Sequence, residues 1–188
     1  MKNLTDTEII DSIKKGNHSD FSLLVDMYKG KAFSMLKRML RNENDAEEVL
    51  QDCFLKAFYG LNGFKNEAKF STWFYRIVYN TALTKLAGKK RKIENEMSSL
   101  EDHFDLKSEY DHEITERDDL QNYIHGMIEQ LPPKHAAVIS MFYLEDMSCE
   151  EIGSILGATE SNVKVMLHRS RNSLKEMMLQ SRNLKEIM

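Results

Sequence analysis

A chain of 188 residues holds one ordinary domain or two small ones, and its 41% apolar content suffices for a packed core. Two prolines and eight glycines are too few for the turns of an all-β fold, so the expected class is all-α. Cys53 and Cys149 are too sparse for a disulfide framework or zinc site, no apolar run approaches the ~20 residues that cross a bilayer, and the acidic start (Asp6, Glu8, Asp11) lacks the apolar stretch of a secretion signal, so a cytoplasmic protein is expected.

In chain order, residues 6–15 read as a short helix with Ile9, Ile10 and Ile13 on one face, broken by Gly16-Asn17. From 20 to about 41, Phe21, Leu24, Tyr28, Ala32, Met35, Leu36, Met39 and Leu40 recur at helical spacing. A polar turn at 41–44 follows, and Asn44 with Glu47 fits a capping box opening the next helix, which buries Ala46, Val49, Leu50, Phe54, Ala57 and Phe58 and ends near Gly60. Residues 61–70 read as a loop. Ser71 or Thr72 is expected to cap a further helix, with Trp73, Phe74, Ile77, Val78, Leu83 and Leu86 forming its apolar side.

The formal net charge of −4 argues at first against a nucleic-acid partner, but its distribution matters more. Between Glu94 and Asp119 stand eleven acids against two bases. Basic clusters flank them: Lys85, Lys89, Lys90, Arg91 and Lys92 before, and Lys164, Arg169, Arg171 and Lys175 after. Two basic surfaces separated by an acidic middle can bind DNA despite an acidic total. The acidic stretch reads as a solvated linker on composition.

Beyond it, Leu120, Ile124, Met127, Ile128 and Leu131 form a helical stripe stopped by Pro132-Pro133, and residues 136–144 form the next helix. Ser148-Cys149-Glu150-Glu151 is a second capping-box pattern, opening a short helix that runs to Leu156. Gly157 permits a sharp turn, and Thr159 caps a last helix expected to reach about Met178, with a frayed end after Gln180. Two short helices joined by a glycine turn, the second one basic, make a helix-turn-helix pattern. Ile152, Ile155, Leu156, Val163 and Leu167 would join the two helices, and no acid occurs from Ser161 to Lys175. Ser161, Asn162 and Lys164 sit where a recognition helix reaches base edges, with His168 on the same exposed surface; Arg169 and Arg171 suit phosphates. The plainer reading is an amphipathic helix with a solvated basic face.

Strings along nearly the whole chain resemble the extracytoplasmic-function sigma factors of bacterial RNA polymerase. They include Asp20-Phe21 with Leu23-Leu24 and Tyr28, then Asp45-Ala46-Glu47-Glu48-Val49 with Gln51-Asp52-Cys53-Phe54, and Phe70-Ser71-Thr72-Trp73-Phe74-Tyr75-Arg76-Ile77-Val78-Tyr79-Asn80. Later come Leu131-Pro132-Pro133, Tyr143 through Ser148, Glu150-Glu151-Ile152-Gly153, Val163-Lys164 and Leu167-His168-Arg169-Ser170-Arg171. The resemblance implies two small helical domains: residues 1–92 binding core polymerase and melting the −10 element, and 117–188 docking a helix-turn-helix on the −35 element. The acidic linker at 93–116 joins them, as a plain tether or as an imitation of nucleic acid in the polymerase channel.

By the same resemblance, Asp45, Glu47, Glu48, Gln51 and Asp52 face the polymerase, although compensation of the helix dipole also accounts for part of Asp45 and Glu47. Lys65, Lys69, Arg76, Asn80 and Thr84 take the non-template strand of the −10 element. The last three, spaced four apart, share one helix face. Asn80 offers both donor and acceptor to a flipped base; its plain alternative is a surface asparagine. Lys89, Lys90 and Arg91 hold upstream phosphates, and Trp73 and Phe74 belong to the core. Thr84-Lys85-Leu86-Ala87-Gly88 departs from the Asp and Arg frequent in the family. An anti-sigma protein is the implied regulator, while catalysis stays with the polymerase and no cofactor, metal or small-molecule substrate is implied. Two rivals remain. A stand-alone helix-turn-helix regulator leaves the first half without a task. A di-metal carboxylate bundle has only one Glu-x-x-His spacing, Glu109 with His112, where such bundles need two.

Overall fold

The computed structural model describes residues 4–97 and 118–187, and among them the chain is helical with no strand. The first half has four helices: α1 (Asp6–Lys14), α2 (Phe21–Leu40), α3 (Glu43–Gly60) and α4 (Phe70–Met97). The second has α5 (Asp118–Gln130), α6 (Pro133–Tyr143), α7 (Cys149–Leu156) and α8 (Glu160–Ile187).

Thr5 and Glu8 form a reciprocal capping box at α1, which buries its three isoleucines against the bundle. Gly16 at φ +107° turns the chain into a single 3₁₀ turn before α2. Arg41 ends α2 in the left-handed conformation, so the chain re-enters helix one residue later, at Asn42. The expected Asn44–Glu47 box is therefore replaced: the Asn42 side chain accepts the Asp45 amide at 2.9 Å, and Asn44 lies inside α3. At α4 the expected caps are likewise displaced. Trp73 already donates its amide to the Lys69 carbonyl, so Ser71 and Thr72 stand within the first turn.

Around the junction of α2, α3 and α4 an aromatic cluster supplies much of the apolar packing. Phe74 stacks on both Phe54 and Phe70, and Tyr28 meets Phe70 and Phe74 edge-on. Trp73, expected in the core, is only half-buried; it lies over Gly60, where an added Cβ would stand 3.1 Å from its ring.

Two helices outrun their expected ends for one reason. Neither residues 89–97 nor 174–187 contain proline or glycine, and both stretches are rich in helix formers. Thus α4 continues to Met97, past the expected start of the linker at 93, and α8 continues to Ile187, past Met178. Residues 98–117, with Glu109 and His112, lie outside the described residues.

In the second half, Pro133 occupies the first turn of α6, where its missing N–H costs nothing. Ala136 through Met141 are all buried, so α6 is covered on every side, as an apolar helix requires. Its neighbours explain this: α5, α7 and α8 pack on it from its own half, and α2 packs on it from the other. Helix α7 likewise packs on α4, so the two halves share a continuous core. Three polar contacts pin this junction. Arg41 donates to the carbonyls of Gln130 and Leu131 at 3.2 and 2.9 Å, Lys31 pairs with the nearly covered Glu145 at 3.3 Å, and Lys69 pairs with Glu151 at 2.8 Å.

Candidate nucleic-acid and polymerase interfaces

The helix-turn-helix is built by α7 and α8. Ser148 and Glu151 cap α7 reciprocally, and Gly157 ends it at φ +66°. Thr159 accepts the Asn162 amide at 3.2 Å and so caps α8 as expected. Val163, Leu167 and Ser170 turn inward, while Ser161, Asn162, Lys164, His168 and Arg169 are exposed on the outer side. Lys164 is held by Glu160 at 2.6 Å, which raises its pKa, and the Asn172 amide lies 3.1 Å from the His168 ring nitrogen. Arg171 differs from its companions: its guanidinium lies over the Phe142 and Tyr143 rings, 5.8 and 5.6 Å from their centroids, and so leans toward α6.

In the first half, Arg76, Asn80 and Thr84 are all exposed along one side of α4, as their spacing predicts. The Thr84 hydroxyl donates to the Asn80 carbonyl at 2.9 Å, so its proton is already used within the helix. Beside Arg76 lies a cleft of about 330 Å³ whose walls include Phe64, Lys65, Thr72, Trp73, Arg76 and Ser154. An aromatic wall with cationic rims suits an unstacked base and its phosphates. Ser154 belongs to α7, so the second half closes one side of this cleft. Lys69, at the mouth of α4, is not open to solvent ions alone: its ammonium is paired with Glu151, and the pair raises the lysine pKa and lowers that of the acid.

The acidic edge of α3 presents Glu47, Glu48, Gln51 and Asp52 to solvent. Asp45 is mostly covered and engaged by both Lys85 and Lys89, while Glu48 also takes Lys85 at 2.5 Å. Burial would push the Asp45 carboxyl up, but the two ammonium groups outweigh it and its pKa falls below the ordinary value. Asp45, assigned by sequence to polymerase, and Lys89, assigned to DNA, are thus joined to one another across α3 and α4. Sequence reasoning also missed Leu55 and Tyr59, which are 54% and 77% exposed. Their signal was present: Gln51, Leu55 and Tyr59 stand four apart and so extend the polar edge with apolar surface.

Comparison with known proteins decides the family. Residues 24–92 match the Sigma-70 region 2 family, and residues 121–174 match Sigma-70, region 4. The ECF RNA polymerase sigma factor SigW of Bacillus subtilis (strain 168) is 32% identical over 174 residues, covering 89% of this chain and 93% of that one. The chain belongs to the ECF RNA polymerase sigma factors. A second such factor, sigma-E of Escherichia coli (strain K12), is 29% identical over 178 residues, covering 91% and 93% of the two chains. The ECF fold is shared with two solved structures. The sigma factor RpoE in complex with the anti-sigma factor NepR, from Bartonella quintana, has a TM-score of 0.68 at 18% identity over 85% of this chain and 96% of that one. CnrH in complex with the cytosolic domain of CnrY has a TM-score of 0.65 at 20% identity over 90% and 94%. As an ECF sigma factor, the protein directs promoter-specific initiation by RNA polymerase.

Proposed function

We propose that the two halves divide this work between them. Residues 1–92 bind core polymerase and open the −10 element, and 117–188 read the −35 element, with 93–116 as the tether. Arg76 and Asn80 take the unpaired non-template strand, and the cleft beside Trp73 receives a base turned out of the stack. Lys65 and Lys69 hold its phosphates, with Lys90 and Arg91 upstream. Ser161, Asn162 and Lys164 read bases in the major groove while His168 and Arg169 fix the backbone. Gln51, Asp52, Leu55 and Tyr59, with Glu47, make the polymerase edge. The observation that carries this reading is the pair of separate exposed polar faces, one on α4 beside an aromatic cleft and one on α8, where no acid occurs from Ser161 to Lys175.

The protein performs no catalysis of its own and works in the cytoplasm, where polymerase is found. An anti-sigma protein is its regulator, a reading supported by the likeness to RpoE, which was solved with one. Run-off transcription with core polymerase on a genomic promoter library tests the reading. Native protein yields factor-dependent transcripts, Arg76→Ala with Asn80→Ala loses open complexes on the same promoters, and an absence of transcripts with native protein on every template rejects the assignment. Tight, specific binding to duplex promoters without polymerase would favour the stand-alone regulator instead.

A further inference from the structure

The helix assigned to duplex DNA begins with a carboxylate. Glu160 stands in the first turn of α8, and from there to Lys175 it is the one acid in the sequence. A negative charge brought against phosphates costs affinity, so this one needs a task that offsets the repulsion. Capping is not that task. Glu8 and Glu151, the capping acids of α1 and α7, fold back to accept the Thr5 and Ser148 amides at 2.8 and 2.9 Å. Glu160 instead reaches forward one turn to the Lys164 ammonium at 2.6 Å, and the cap comes from Thr159. Stability is not the task either. Both side chains are more than half exposed, and an ion pair one turn apart in open water adds little. Compensation of the helix dipole asks only for a carboxylate in the first turn and is indifferent to its partner.

We propose that Glu160 and Lys164 act as one unit that reads a single G·C base pair of the −35 element, with the carboxylate on cytosine N4 and the ammonium on guanine O6 and N7. The inference rests on the assignment of α8 to the −35 element, and it adds Glu160 to the residues that set specificity there.

The match is one of spacing and of hydrogen-bond sense. On the major-groove edge of a G·C pair, the cytosine N4 donor and the guanine O6 acceptor lie about 3 Å apart, joined to each other across the pair. The second N4 hydrogen projects into the groove. The couple on α8 offers the complement at nearly the same separation, an acceptor beside a donor at 2.6 Å. Guanine also sets N7 next to O6, so the ammonium finds two neighbouring acceptors. An A·T edge separates its two acceptors by the adenine amino group and crowds one of them with the thymine methyl. Orientation follows from the helix itself. Glu160 precedes Lys164 along α8, so a docked helix distinguishes G·C from C·G. The carboxylate repels edges that offer it no donor, and it holds the lysine away from phosphates that carry no sequence.

Run-off transcription by holoenzyme on promoters with a randomised −35 element, each marked by a barcode in the transcribed region, tests this. The native factor is expected to favour G·C, in one orientation and at one position, by roughly tenfold. Glu160→Ala is expected to lose that preference while keeping those at other positions, and to give more transcript from templates with other pairs there, since a repulsive charge has gone. Alanine preserves the helix and leaves the Thr159 cap in place. The second arm changes the DNA. N4-methylcytosine at the selected position keeps base pairing but removes the N–H that faces the groove. It is expected to cut native run-off about tenfold and to leave Glu160→Ala unaffected. A variant with the native selection profile overturns the proposal, as does a methyl group that lowers both proteins alike, or a native profile that selects other pairs but no G·C. Failure of the −35 assignment itself would show separately, as native holoenzyme indifferent to every base at −35.

Discussion

Gly153 lies on α7 where the chain returns through the turn to α8, and a Cβ there would stand 2.7 Å from the Ala158 carbonyl oxygen. Gly153→Ala must shift backbone, so it is expected to cost about 1–3 kcal/mol, read as a lower urea midpoint at unchanged slope. Cys53 is fully buried, and burial pushes its thiol up to about 11, whereas Cys149 is partly exposed at the start of α7. Alkylation at pH 7.5 should therefore modify Cys149 alone until the protein unfolds; two labels on native protein would refute it. Spacing made Arg76, Asn80 and Thr84 legible as one exposed row, because a single helix period settles them. It could not reveal that Lys89 reaches Asp45 or that Lys69 reaches Glu151, since those partners are fixed by how distant helices cross. Arg171 escaped for the same reason: only the approach of α6 shows that rings lie under it.

At the scale of the helix, the two capping sites separate what sequence located from what it misplaced. Ser148 was found because the box, the apolar run and Gly157 all agree on one register. Asn42 was missed because Arg41 in the left-handed region resets the helix start, and nothing in an arginine announces positive φ. Asn42→Ala and Ser148→Ala are each expected to cost about 1 kcal/mol, while Asn44→Ala stays within about 0.5 kcal/mol. Thermal unfolding of the three variants distinguishes them, and equal losses at 42 and 44 would contradict the observed cap. Element types and most apolar faces were legible throughout. The ends of α4 and α8 were not, because charged helix formers carry a helix onward without any apolar stripe to mark it.

At the scale of the whole chain, composition and charge divided the sequence into two halves, but their mutual packing left no trace in it. Arg38, Tyr75 and Glu145 look like ordinary helix or turn positions until α2, α4 and α6 are brought together. That junction responds to acid in a definite direction. The Lys69 ammonium first, and the Ser148 amide second, hold the Glu151 carboxyl below the ordinary 4.5. Its contribution is therefore complete above about pH 4.5 and disappears as pH falls through the lowered value. Small-angle scattering checks this: the radius of gyration should hold steady from pH 7 to 5 and grow below about 4.5, and a constant radius down to pH 3.5 would refute the linkage. The struts from Lys85 and Lys89 to Asp45 and Glu48 carry a different consequence. On the proposed division of labour they fasten the polymerase-facing helix α3 to the strand-facing helix α4, so a tilt imposed on one is delivered to the other. On that same proposal, docking of α3 on the polymerase would also aim the groove beside α4, and a solution salty enough to dissolve those struts would leave the protein attached but poorly aimed.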